Sequence, residues 1–69
     1  MPNLTPESLG QAIRKARRAQ GLSQTQVAEA LGFSQQWISE IESGKPNARI
    51  GAVLDVADAV GLEITANPR

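Results

Sequence analysis

Two neighbouring glutamines, Gln35 and Gln36, follow Ser34 directly and precede the chain's single tryptophan, Trp37. A carboxamide donates and accepts at once, so each of the two can pair with N6 and N7 of an adenine in the major groove. A serine placed before them as a helix cap leaves backbone N–H groups pointing outward, which makes residues 34–36 a candidate reading head. Trp37 has two open roles. Its ring edge can lie on thymine methyls or sugars, or it can pack on the preceding helix with its N–H left wet. Other chemistries are hard to assemble. The 69 residues contain no cysteine, no histidine and seven carboxylates, and the carboxylates show no paired arrangement. Neither a zinc site nor a nucleophile–base pair can be built from these by the usual routes. The expectation is a protein that is not an enzyme, with no catalytic residue, no metal, no cofactor and no small-molecule substrate.

Seven basic and seven acidic residues cancel, which argues against an indiscriminately basic nucleic-acid coat. Their order is less even. Glu7 stands against Arg14, Lys15, Arg17 and Arg18 in the first stretch, Glu29, Glu40 and Glu42 follow, and Lys45 and Arg49 return positive charge before Asp55, Asp58 and Glu63. The chain can therefore fold into one basic and one acidic face, which permits phosphate contact without requiring it. No apolar run approaches the ~20 residues of a membrane span. The start, Met1-Pro2-Asn3-Leu4-Thr5, lacks the charged and apolar regions of a signal peptide. A cytoplasmic location with no membrane partner is expected. A core this small is thin, and a second copy of the chain is the remaining way to enlarge it, so an oligomer is expected.

Punctuation by glycine and hydroxyl residues divides the single domain, 1–69, into helices at about 6–20, 24–31, 35–43 and 49–60 and a strand at about 62–67. Thr5 can cap the first helix, with Pro6 at its first position and Glu7 at the positive end of the dipole. Leu9, Ala12, Ile13 and Ala16 recur at helical spacing until Gly21. Ser23 and Gln26 have the spacing of a capping box for the second helix, whose apolar face is Val27, Ala28 and Leu31. Gly32 closes it, Ser34 caps the third helix, and Ile38 and Ile41 anchor that helix before Gly44. Ile50, Val53, Leu54, Ala57 and Val60 mark the fourth, with Asn47 and Arg49 both available as its cap. Leu62, Ile64 and Ala66 then alternate with Glu63, Thr65 and Asn67, the period of a strand.

Two short helices joined by Gly32-Phe33-Ser34 must turn sharply, and where they cross only a small side chain fits, which Ala28 supplies. Ile38 and Ile41 then face inward and Gln35, Gln36, Ser39 and Glu40 face solvent. This is the helix-turn-helix pattern, whose second helix enters the major groove with its first residues toward the bases. Packing alone can produce the same small residue and glycine in a plain helical bundle. The exposed amides at the start of the third helix separate the two readings.

Ile13-Arg14 with Arg17, Gly21-Leu22-Ser23-Gln24, Val27-Ala28, Leu31-Gly32, Ser34-Gln35, Ile38-Ser39, Ile41-Glu42, Gly44-Lys45 and Ala59-Val60-Gly61 together resemble the lambda-repressor-like helix-turn-helix family, also called the Cro and Xre family. The resemblance covers residues 9–61. Gly44 to Ile50 and Val60 to Ile64 look like its HipB-type antitoxin branch, which pairs with a HipA-type kinase toxin. The fold implied is all-α, a lambda-repressor-like four-helix domain with a C-terminal β-strand pairing across a dimer. By the same resemblance Gln24 matches a phosphate-holding position and Gln35 and Gln36 match base-reading ones. Ser34, Ser39 and Glu40 match neighbours that touch bases or backbone. Glu40 departs from the amide or basic residue often found there; its carboxylate repels phosphate but can accept from cytosine N4. Arg17 and Glu42 match a structural ion pair, and Lys45 lies in a loop that runs near the DNA backbone. Arg14 and Arg18 can assist from the first helix or belong to a solvated charged face.

The segment at 62–67 has no partner strand within the chain. A lone strand leaves its backbone groups unpaired and its edge open, and the same segment of a second subunit closes it about a twofold axis. Leu62, Ile64 and Ala66 are therefore expected in an intermolecular ribbon lying on the fourth helices around Val53, Val56 and Val60. The functional expectation is a DNA-binding transcriptional repressor acting as a homodimer on a palindromic operator, as the antitoxin of a toxin–antitoxin operon with a HipA-like kinase toxin. The alternatives are a standalone phage-type or restriction-controller regulator, and a helical protein-interaction module that does not touch DNA.

Overall fold

The computed structural model describes residues 5–45 and 47–62, which form four helices: α1 (Pro6–Ala19), α2 (Gln24–Leu31), α3 (Gln35–Glu42) and α4 (Ile50–Ala59). Three of them begin on side-chain caps. Thr5 Oγ1 accepts from the Ser8 N–H at 3.0 Å while Ser8 Oγ accepts from the Thr5 N–H at 2.9 Å. Ser23 and Gln26 make the same reciprocal exchange at 3.0 and 2.7 Å, and Ser34 Oγ accepts from the Trp37 N–H at 3.0 Å. The fourth helix follows Arg49, an extended residue that makes no side-chain cap bond.

All four helices end alike. Gly21, Gly32, Gly44 and Gly61 adopt φ of +71°, +77°, +96° and +76°, the left-handed region that lets the next residue turn back onto the helix. The N–H groups of Leu22, Phe33, Lys45 and Leu62 then donate to the carbonyls of Arg17, Ala28, Glu40 and Ala57 at 2.8–3.1 Å. Three of these returning residues, Leu22, Phe33 and Leu62, pack against the core. The fourth is a lysine.

The core is built from Ile13 of α1, Val27 and Ala28 of α2, Ile38 and Ile41 of α3, and Val53, Val56 and Ala57 of α4 with Val60 behind it. Helix α3 packs on both α1 and α2, and α4 packs on α2. The approach of α1 to the end of α3 is close. A Cβ added at Gly10 would stand 2.8 Å from the Glu42 carbonyl oxygen and closer still to that of Ile41, so only glycine fits.

Two expectations about the C-terminal end change. Val53, Val56 and Val60 are at most 6% exposed within one chain, because α4 must use them to close its own core; they offer no platform for a ribbon. The exposed large apolar side chains of α4 are instead Ile50 and Leu54, at 66% and 44%. Leu62, expected to open the strand, belongs to the α4 terminus, where its N–H is spent on Ala57 at 2.8 Å. Ile64 and Ala66 lie outside the described residues, as does the rest of the expected strand.

Candidate nucleic-acid interface

A buried ion pair lies behind the candidate reading head. Arg17 Nε donates to Glu42 Oε2 at 2.6 Å and Arg17 Nη2 to Glu42 Oε1 at 3.1 Å. The third donor, Nη1, reaches the Leu22 carbonyl at 2.7 Å, so the α1 turn holds the guanidinium from the other side. The side chains are 10% and 3% exposed, and among the described residues no buried side-chain nitrogen or oxygen lacks a partner. A buried pair of this kind is costly to break from one side, because the surviving charge is left without compensation.

From Glu42 a chain of amides leads to the surface. Gln24 Nε2 donates to Glu42 Oε1 at 3.0 Å, and Gln24 Oε1 accepts from Gln35 Nε2 at 2.5 Å. The order of donors and acceptors is dictated from the inner end. A carboxylate only accepts, so Gln24 must turn its nitrogen inward and its oxygen outward, and Gln35 must then present its nitrogen to that oxygen. Gln35 keeps its Oε1 and its second Nε2 hydrogen, one acceptor and one donor, the set that the N6 and N7 edge of adenine requires. The side chain is exposed yet oriented, which lowers the ordering entropy lost on contact.

Ser34 and Gln36 are exposed beside Gln35, and Ser39 and Glu40 are half-buried along the same helix. The N–H groups of Gln35 and Gln36 lie in the first turn of α3, where no carbonyl of the helix can reach them. Trp37 is half-buried and packs against the core, its ring centroid 4.5 Å from that of Phe33 at an interplanar angle of 37°. The turn between α2 and α3 thus holds the indole from one side. Arg14 and Arg18 are exposed on α1, where they line a shallow groove with Gln11 and Lys15.

Lys45 and Glu40, expected as separate phosphate and base contacts, are paired with each other. Lys45 Nζ lies 3.0 Å from Glu40 Oε1, with side chains 37% and 42% exposed. Gly44 carries the signal that could have found the pair, since a left-handed glycine brings the residue after it back over the residue four before it. Gln24 as a bridge between Glu42 and Gln35 had no such signal, because its partners lie 18 and 11 residues away.

Among the described residues no group of three His, Cys, Asp or Glu side chains could hold a metal ion, and no helix is long and apolar enough to cross a membrane.

Four helices with α2 and α3 joined by a left-handed glycine, and an exposed amide set at the start of α3, define a helix-turn-helix unit. The model of the helix-turn-helix domain family matches residues 8–66. The HTH-type transcriptional regulator y4mF of Sinorhizobium fredii (strain NBRC 101917 / NGR234) is 38% identical over 60 residues, covering 87% of this chain and 79% of that protein. The chain belongs to this family of helix-turn-helix transcriptional regulators. Among solved structures, a HipB–O4 20mer complex shares the fold, with a TM-score of 0.84, 22% identity and coverage of 99% of this chain and 96% of that one. The restriction-modification controller protein C.AhdI of Aeromonas hydrophila superposes with a TM-score of 0.73 at 31% identity, covering 84% of this chain and 88% of that one.

Proposed function

We propose that the protein is a sequence-specific repressor that binds a palindromic double-stranded DNA operator as a homodimer, and that it is the HipB-like antitoxin of an operon whose promoter it controls. In this reading Gln35 and Gln36 read bases with help from Ser34, Ser39 and Glu40, while Gln24 and Lys45 lie beside phosphates. The single observation that carries the DNA contact is the amide chain from Glu42 through Gln24 to Gln35, which orients an exposed carboxamide at the start of α3. The likeness of the whole chain to HipB supports the antitoxin role. A HipA–HipB–O2–O3 complex of the same fold, with a TM-score of 0.84, supports a HipA-like kinase toxin as the partner.

The higher identity to the restriction controller, 31% against 22%, favours a second reading, a regulator with no toxin. The reading frame beside the gene separates the two: a kinase-like frame supports the antitoxin, and a restriction or phage gene supports the standalone regulator. The DNA reading is tested by selecting bound duplexes from a random pool. Two inverted half-sites about 34 Å apart, or a multiple of that, are expected, because a twofold dimer must present both α3 helices to one face of the duplex. With Gln35→Ala the preference at one base pair of each half-site should flatten, at a cost of ~1–3 kcal/mol. An asymmetric single site would count against the dimer, and a pool left without enrichment would count against DNA reading altogether.

A further inference from the structure

The returning residue at the end of each helix covers the last turn, and in α1, α2 and α4 that residue is the apolar Leu22, Phe33 or Leu62 packed on the core. At the end of α3 the same geometry carries Lys45. The Lys45 N–H donates to the Glu40 carbonyl at 3.1 Å, and its ammonium meets the Glu40 carboxylate at 3.0 Å. An apolar contact between these two positions is what this terminus ordinarily makes. The returning residues of the other three helix ends are apolar, Lys45 departs from them, and such departures are expected at functional positions. The pair is also preorganised. Gly44 at φ +96° brings the two residues against each other through the backbone, so no separate loop has to close to form the pair. Helix α3 carries only Glu40 and Glu42 as charged residues, and Glu42 is neutralised by Arg17. Lys45 is thus the cation of this helix end, and Glu40 is what it faces.

We infer that Glu40 is an internal counter-ion that withholds Lys45 from DNA phosphates and so limits non-specific binding. This rests on the DNA-binding reading above. A lysine that neutralises a phosphate releases the counterions condensed there and adds about 0.9 to the steepness of binding against salt in a double-logarithmic plot. A lysine already neutralised within the protein releases fewer and adds less. Removing the Glu40 charge while keeping its shape should therefore hand Lys45 to the backbone of any duplex.

The test is binding of the full chain, as wild type, Glu40→Gln, Lys45→Ala and the double variant, to a mixed-sequence duplex of about 30 bp across a salt series from ~50 to ~200 mM. Helicity and thermal melting of each variant establish that it is folded. Glu40→Gln should bind about threefold to fivefold more tightly at the low-salt end, the weight of a pair of this exposure. Its salt slope should steepen by up to about 0.9. In the double variant the gain should vanish, so that it binds random DNA no more tightly than Lys45→Ala alone. If Glu40→Gln gains nothing, or gains as much without Lys45 as with it, the inference falls, since the carboxylate then acts on phosphate by itself or not at all. If neither wild type nor Glu40→Gln binds any duplex at the lowest salt, the DNA-binding reading falls first and takes this inference with it.

Discussion

Gln35 reads as a free surface glutamine in the sequence, but its amide is the outer end of a relay that starts at a buried charge. Replacing Gln24 by alanine should leave the Arg17–Glu42 pair intact and free the Gln35 carboxamide to rotate. The expected result is a loss of about 1 kcal/mol of discrimination at the base that Gln35 contacts, with a melting temperature that moves by only a few degrees. A binding isotherm on the selected operator and its single-base variant measures the first, and thermal melting the second. Arg17→Met is the opposite case. It strands the buried Glu42 carboxylate, at a cost of ~3–5 kcal/mol, a large share of what a domain this small can hold. Its melting temperature should fall by more than ~10 °C. Adding Glu42→Leu should recover much of that loss, since the orphaned charge is then gone, while Gln35 discrimination stays poor because Gln24 has lost its anchor.

At the scale of the elements, the glycines separate by what surrounds them. Gly10 lies inside α1 where the end of α3 crosses, and its added Cβ would meet backbone carbonyl oxygens of Ile41 and Glu42 that cannot give way. Gly51 lies inside α4 with nothing within 4 Å of an added Cβ. The same substitution to alanine should therefore have opposite signs. Gly10→Ala should cost ~1–3 kcal/mol by prising α1 from α3, and Gly51→Ala should add ~0.5–1 kcal/mol by reducing the freedom of the unfolded chain. Urea denaturation of the two variants beside wild type checks both. A stabilised Gly10→Ala would mean that α1 is not held so tightly against α3.

At the scale of the molecule, the homodimer proposed above needs a surface to join its two copies. Residues 63–69 can be removed without touching the Leu62 N–H bond that closes α4. In the homodimer proposed here that truncation should leave the helical content of each chain nearly unchanged, shift sedimentation toward the monomer and weaken operator binding. Leu54→Glu, on the exposed apolar face of α4, is the control. If the truncated chain remains a full dimer and Leu54→Glu dissociates it, the subunits meet through α4 around Ile50 and Leu54 and not through a ribbon.

What could be read from residues alone is local in origin. Caps, stop glycines and the 3.6-residue recurrence of Leu9, Ile13, Val27, Ile38 and Ile41 are set by backbone hydrogen bonding and by which side of a helix must leave water, and both act over a few residues. The exposure of Gln35 and Gln36 follows from the inward facing of Ile38 and Ile41 for the same reason. The Arg17–Glu42 pair came from family resemblance, because a separation of 25 residues has no periodicity to announce it. Only packing decided that Val53, Val56 and Val60 are spent inside one chain, since an apolar stripe does not say which surface it will cover. Only packing, too, put Gln24 between Glu42 and Gln35 and thereby oriented the amide that meets the DNA in the proposed complex: a hydrogen-bond relay between α2 and α3 exists only once those helices have been brought together by their buried faces.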